Sequence, residues 1–360
     1  MTDEKVLNRI KELQEEIRKT PYHKGTEHHI GLLKARVAQL RKELDESSQT
    51  SSGGGQSSGY GIKKQGDATV VLIGPPSAGK SSLLNKLTRA RSKVGHYEFT
   101  TLEVIPGMMN YQGARVQILD VPGLITGAAK DKGQGKRILS VARSSDLIIL
   151  MSDVERPDWL SKAKKELYEA GIRLNCRPPK IRIKKLHRGG IRVLDPYGHF
   201  LKETVAELGI RFGLKNAEIA FEEEINTLDD LIDAFIGNRV YLPSIEVINK
   251  IERTGFRRPG TVLISVKEGI GLGELKEKIW QKLGFVRVYF RESKNKEPNL
   301  EEPLILQKGA VVRDALKSVS QELVEQIEKV LIWGDKAKFP GQAVPLNYSI
   351  FDEIVIYFSK

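Results

Sequence analysis

Cysteine is nearly absent from this 360-residue chain: Cys176 stands alone, so no internal disulfide is available. That fits a reducing compartment, and the expectation is a cytoplasmic protein. No run of about 18 apolar residues occurs, which argues against a transmembrane helix and a membrane partner. The first residues are polar and charged from Thr2 onward, so no secretory signal is expected. Acidic residues are missing from one stretch in particular. Between Arg173 and Val193 lie eight Lys or Arg and no Asp or Glu, in a chain whose net charge is +12. Such a local excess points to a polyanionic partner. Lys180, Arg182, Lys184, Lys185, Arg188 and Arg192 are its candidate phosphate contacts.

The chain is long enough for two or three domains. Apolar residues at helical spacing (Val6, Leu7, Ile10, Leu13, Ile17, then Ile30, Leu33, Val37, Leu40, Leu44) predict an N-terminal helical hairpin over residues 1–46. Its charges nearly balance, so packing on another domain is its expected use. Residues 47–60 are almost all Ser, Gly, Gln and Thr and read as a flexible linker. An α/β domain spans 61–284, with candidate strands at 68–73, 103–108, 115–119, 146–151, 244–248 and 261–265. Alternation with helices implies a mostly parallel sheet covered by helices. A basic α+β insert, 174–240, interrupts it. There Lys180–Lys184 and Gly190–Leu194 read as a hairpin around Arg188-Gly189-Gly190, followed by helices near 200–210 and 228–235. Residues 285–360 form a last α+β unit, with a strand at each end and a helix over 311–330.

The chemistry starts at Gly74-Pro75-Pro76-Ser77-Ala78-Gly79-Lys80-Ser81, followed by Ser82. This is a G-x-x-x-x-G-K-[ST] phosphate loop between an apolar β-branched strand and a helix, the context its chemistry needs. Backbone N–H groups and the helix N-terminus receive phosphate, Lys80 reaches the outer phosphates, and the Ser81 hydroxyl serves Mg2+. Phe99-Thr100-Thr101 follows, and Thr101 is the candidate for Mg2+ and the terminal phosphate. Asp120-Val121-Pro122-Gly123 then ends a strand, with Asp120 placed for Mg2+ through water and the Gly123 N–H for the γ-phosphate. Lys80, Thr101 and Gly123 are the candidate catalytic residues. Leu124 stands where many GTPases place a water-orienting glutamine, so slow intrinsic hydrolysis, faster with an accessory partner or a cation, is expected. Asn249-Lys250-Ile251-Glu252 offers a carboxylate to the guanine N1–H and amine, and Ser265-Val266-Lys267 closes over the base.

With these residues in view, the chain resembles the developmentally regulated GTP-binding proteins, a branch of the Obg-related translation GTPases. The likeness runs through Lys24-Gly-Thr-Glu-His-His-Ile-Gly-Leu-Leu-Lys-Ala, Gly66-Asp-Ala, Phe99-Thr-Thr-Leu, Asp120-Val-Pro-Gly-Leu-Ile, Gly133-Gln-Gly-Lys-Arg, Arg188-Gly-Gly-Ile-Arg-Val and Gly237-Asn-Arg-Val-Tyr. At the end, Leu306-Gln-Lys-Gly-Ala-Val-Val-Arg-Asp-Ala and Ile332-Trp-Gly-Asp resemble a TGS domain. The resemblance implies a P-loop G domain with a β-grasp TGS domain, GTP/GDP and Mg2+ as ligands, and a monomeric switch acting on ribosomes or rRNA. Two positions depart from the family. Glu252 replaces the usual Asp, as in the Obg-like ATPases, so an ATP-preferring relative is the alternative; those lack Lys250 in that motif and match neither the hairpin nor the basic insert. Ser77 stands where cation-stimulated relatives often carry an asparagine that binds K+, which leaves K+ dependence open.

Overall fold

The structure, a computed structural model, describes residues 3–50, 65–88, 104–121, 134–253, 258–294, 296–321, 324 and 327–359. The chain divides into two compact units, residues 1–58 with 176–241, and residues 59–175 with 242–360.

The second unit holds a six-stranded sheet in the order Val262–Leu263, Ser244–Asn249, Leu147–Asp153, Ala68–Ile73, Ala114–Asp120, Ile105–Tyr111. Neighbours run parallel except for the edge strand Ile105–Tyr111. Ala68–Ile73 is buried at all six positions, as a continuous apolar run between two helical layers must be. The helix Leu272–Leu283 packs Leu275, Ile279 and Trp280 into the sheet's core. Trp280 meets Tyr111 and Phe285 edge to face. Gly284, left-handed at φ 64°, ends that helix and turns the chain into the strand Phe285–Phe290.

From there a five-stranded mixed sheet follows, ordered Leu304–Gln307, Phe285–Phe290, Ile354–Ser359, Lys329–Trp333, Gln342–Ala343. Its core gathers Val288, Leu316, Ile332, Ile354 and Ile356. The hairpin tip at Gly113 lies against this part: a Cβ there would sit 2.3 Å from Pro303 Cγ, at a φ of +85°. The helix is shorter than expected. It covers Val312–Val319, Ser320 is already extended, and the strand Lys329–Trp333 begins before the end of the expected helix. The apolar positions near 330 serve a sheet, a role that periodicity alone does not separate from helix.

In the first unit, helices Asp3–Lys19 and Lys24–Thr50 pair through Val6, Ile10, Leu13, Val37 and Leu40. The second helix runs to Thr50, four residues into the stretch read as linker; residues 51–64 lie outside the described residues. Its other face, with Ile30, Ala35 and Ala38, enters the core of the insert beside Val205, Leu208, Leu228 and Leu231. Lys34 pairs with Asp229 at 2.9 Å, and buried Glu27 accepts the Leu201 N–H at 3.2 Å. The hairpin therefore packs on the insert.

The expected hairpin in the insert is not one. Ile181–Lys185 and Ile191–Leu194 flank a third strand, Ala217–Phe221, antiparallel to the first and parallel to the second. The reason is burial. Ala217–Phe221 is buried at four of five positions, whereas the flanking strands carry Arg and Lys at alternate exposed positions and suit edges. Asn216 ties the connecting turn to the central strand: its Oδ1 accepts the Gly190 N–H at 2.8 Å, and its carbonyl accepts the Leu186 N–H at 2.9 Å. Ile219, fully buried at the centre, should govern this unit's stability. Ile219→Ala is expected to lower it by about 2–4 kcal/mol in urea unfolding followed by circular dichroism. Nucleotide binding by the other unit should stay within about twofold.

Candidate nucleotide site

The sheet's carboxyl ends at Ile73, Asp120 and Asn249 carry the loops of interest, the usual crevice of an open α/β sheet. Leaving Ile73, the chain curls through Ser77 (φ 62°) and Gly79 (φ 98°) into the helix Lys80–Leu87. Glycine is required at 79. A Cβ there would lie 2.5 Å from Asn249 Nδ2, in a left-handed conformation that other residues resist.

Asn249 is the junction of three loops. Its Nδ2 donates to the Ala78 carbonyl at 2.9 Å, and its Oδ1 accepts the Val266 N–H at 3.0 Å. Around that junction opens a cleft of about 690 Å3. Ser77, Gly79, Ser82, Asn249, Lys250, Glu252, Val266 and Lys267 line it, joined by Asn85, Lys86 and Arg253. Ile251 and Glu252 begin a short 3-10 turn, with Glu252 exposed. A hydrogen bond from the Ser265 side chain holds the Glu252 carboxyl below the usual carboxylate range. The carboxylate is thus ionised and acceptor-only at neutral pH, as pairing with two N–H donors requires.

Next to Gly79 in the phosphate loop, Lys80 is buried, and its Nζ donates to the Gly74 and Pro75 carbonyls at 3.0 and 3.2 Å. Burial pushes the amine below its ordinary value, with Asp120 opposing that shift. Ser81 Oγ donates to Asp120 Oδ2 at 2.5 Å. Desolvation raises the Asp120 carboxyl above its ordinary range, while Ser81 and Lys80 hold it down. A buried carboxylate and hydroxyl in contact, with the negative form disfavoured by desolvation, suit a hard divalent cation. Among the described residues no group of three or more His, Cys, Asp or Glu is arranged to hold a metal ion, so phosphate oxygens and water would complete such a site.

Of the residues singled out in the sequence, Phe99, Thr100, Thr101, Pro122, Gly123 and Leu124 lie outside the described residues. Val121 is buried, its N–H directed to the Leu72 carbonyl at 3.4 Å. The basic run divides. Arg173 is buried over the Tyr168 ring, 3.6 Å from its centroid, and is structural. Lys180 and Arg182 are paired with Glu223 and Glu222, at 3.8 and 3.4 Å. Lys184, Lys185, Arg188 and Arg192 are exposed without an ion pair to any described residue. Sequence reasoning missed Asp153 and Arg156. The only signal was an acidic residue closing an apolar strand.

Asp120 makes the site costly when its charge is uncompensated. Its folded pKa exceeds the ordinary 3.8, so folding takes up a proton and this contribution to stability is lost as pH rises through the raised value. Asp120→Asn should therefore melt higher than the parent without nucleotide or Mg2+, by about 1 kcal/mol at neutral pH. That advantage should vanish below pH 3.8 in thermal melts across pH. The same variant should lose about 10- to 100-fold in Mg2+-dependent nucleotide affinity.

Comparison with known proteins agrees with this geometry. A family model described as 50S ribosome-binding GTPase matches residues 69–185, and one for the C-terminal region of that domain matches 188–285. A GTP-binding protein of Methanocaldococcus jannaschii is 43% identical, covering 95% of this chain and 90% of its own. Developmentally-regulated GTP-binding protein 2 of Mus musculus is 37% identical over 99% of both chains. Developmentally-regulated G-protein 2 of Arabidopsis thaliana is 37% identical over 99% of this chain and 91% of its own. The ATP-preferring alternative gains no support from these relatives. A phosphate loop, a guanine-type base motif and full-length likeness converge: the chain belongs to the developmentally regulated GTP-binding proteins, a family of P-loop GTPases.

Proposed function

We propose that the protein is a Mg2+-dependent GTP-hydrolysing switch that works on the ribosome. The observation that carries the nucleotide part is one cleft lined by Ser77 and Gly79 of the phosphate loop, by Asn249, Lys250 and Glu252, and by Val266 and Lys267. Lys80 exchanges its loop carbonyls for the outer phosphate oxygens of GTP, which restores full charge complementarity to a desolvated amine. Ser81 and Asp120 would hold Mg2+, which would supply positive charge to the phosphates of the bound nucleotide. Glu252 accepts from the guanine edge, and adenine lacks that donor pair. Thr101 and Gly123 receive the γ-phosphate, and Leu124 leaves the attacking water to backbone, K+ or an accessory protein. Hydrolysis by the isolated protein is then slow.

The ribosomal part rests on the insert. Lys184, Lys185, Arg188 and Arg192 stand free at the two edge strands and the turn between them, with only Glu218 opposite Lys184 and Arg192 in register. Contacts of this type position a protein on phosphate without reading sequence. The sheet order of the C-terminal part, with the helix Val312–Val319, supports a TGS module as a further docking element. Co-sedimentation with ribosomes tests the proposal. Pelleting is expected with a non-hydrolysable GTP analogue and release with GDP. The Lys184→Glu, Lys185→Glu, Arg188→Glu variant should pellet about tenfold less at physiological salt, with GTP affinity unchanged. Equal pelleting by that variant would count against the insert, and pelleting indifferent to nucleotide against the switch.

A further inference from the structure

The phosphate loop is gripped by a residue outside every nucleotide motif. The strand Leu147–Asp153 ends on Asp153, which is fully buried. The chain then turns at once. The Arg156 N–H donates to the Asp153 carbonyl at 3.1 Å, and Ser152 Oγ and the Trp159 N–H donate to the Arg156 carbonyl at 2.7 and 3.1 Å. A backbone fixed in this way aims the guanidinium. One terminal nitrogen of Arg156 donates to Asp153 Oδ2 at 2.7 Å and to the Pro76 carbonyl at 2.9 Å. The same Oδ2 accepts from Lys250 Nζ at 3.0 Å. Lys250 belongs to the base motif and sits in left-handed backbone, at φ 65°.

The turn has further ties to that motif. The Val154 N–H donates to the Asn249 carbonyl at 3.3 Å, and Glu155 is ion-paired with Arg253 on the cleft wall. Residues 153–156 therefore touch both the phosphate loop, at Pro76, and the base motif, at Asn249 and Lys250, with Arg253 beside it. Neutralising Asp153 does not account for Arg156, because Lys250 already meets the same oxygen. Arg156 reaches past the carboxylate to a carbonyl of the phosphate loop, and its side chain stays 42% exposed. A guanidinium can serve the carboxylate and the carbonyl together in a fixed plane, whereas a lysine ammonium at the same place offers no such fork.

We propose that Arg156 is a positioning residue for the nucleotide: it clamps the phosphate loop at Pro76 and, through Asp153, holds Lys250 in the base motif, and so sets the rate at which guanine nucleotide leaves. This rests on the reading of the cleft as the GTP site. The test is the release of N-methylanthraniloyl-GDP from the full chain, chased with unlabelled GDP. It compares the parent with Arg156→Met, Arg156→Lys, Asp153→Asn and the double variant Asp153→Asn/Arg156→Met. Release from Arg156→Met should be about tenfold faster, the loss of one charge-assisted hydrogen bond, and Arg156→Lys should regain part of it. At saturating GTP, kcat should stay within about twofold while KM rises.

The double variant separates positioning from charge balance. It should release nucleotide about tenfold faster than Asp153→Asn alone, because the Pro76 contact is missing only in the double. Equal release by those two variants would overturn the proposal and leave Arg156 as a counterion. Thermal melts accompany each variant. Should Arg156→Met fail to fold, the double variant, free of the buried carboxylate, and Arg156→Lys carry the same comparison. A parent protein that retains no labelled GDP, yet folds, would overturn the GTP-site reading itself, an outcome distinct from equal release.

Discussion

The side chain of Asn249 is the interaction on which the candidate nucleotide site depends. One amide spans the phosphate loop at Ala78 and the base loop at Val266, with bonds of 2.9 and 3.0 Å. Both partners are backbone groups, so the link fixes loop paths and tolerates variation in the side chains those loops carry. It also explains Gly79, since any Cβ there would occupy the space of the Asn249 amide. Because Asn249 ends a strand in register with Asp153, the sheet itself sets the depth of the junction. A loop with left-handed backbone at Ser77 and Gly79 is held by a rigid strand end, as a preorganised phosphate cradle requires.

Electrostatics around that junction favour binding over stability. Lys80, Asp120 and Asp153 are all buried charged groups, but they are compensated differently. Burial disfavours the Asp153 anion, yet Arg156 and Lys250 hold it below the usual carboxylate range, so it acts as a permanent internal counterion. Lys80 and Asp120 are each shifted toward neutrality by desolvation, and each is relieved by a ligand of opposite charge. The ionic groups at the phosphate end are thus left for ligand to satisfy, and those behind the base motif are satisfied by the protein. That division follows the general tendency of functional sites to sit where charge is imperfectly paired.

Much of this was legible in sequence where chemistry is local. The phosphate loop needs glycines, a lysine and a hydroxyl at fixed spacing after an apolar strand, and all of these are contiguous from Ala68 to Ser82. Strands of the main sheet were placed within a few residues, because buried parallel strands read as apolar runs. Tertiary order was less legible. Ile181–Lys185 and Ile191–Leu194 carry the signature of a hairpin, two alternating strands around Gly189-Gly190, and nothing local announces that Ala217–Phe221 inserts between them. The apolar positions near Val330 suit helix as well as strand, because short apolar runs fit either period. Arg156 escaped notice since its role comes from a turn after Asp153 and from a carbonyl 80 residues away. Charge was legible as composition but not as arrangement: of the basic run, Arg173 is structural and Lys180 and Arg182 have glutamate partners.

The most direct test of the account is calorimetric titration of the purified full chain with GDP and with ADP, each in the presence of Mg2+, before and after Glu252→Ala. The account predicts that GDP binds at least about a hundredfold more tightly than ADP, and that Glu252→Ala removes most of that preference. Equal affinity for the two nucleotides, or a preference for ADP, would contradict it.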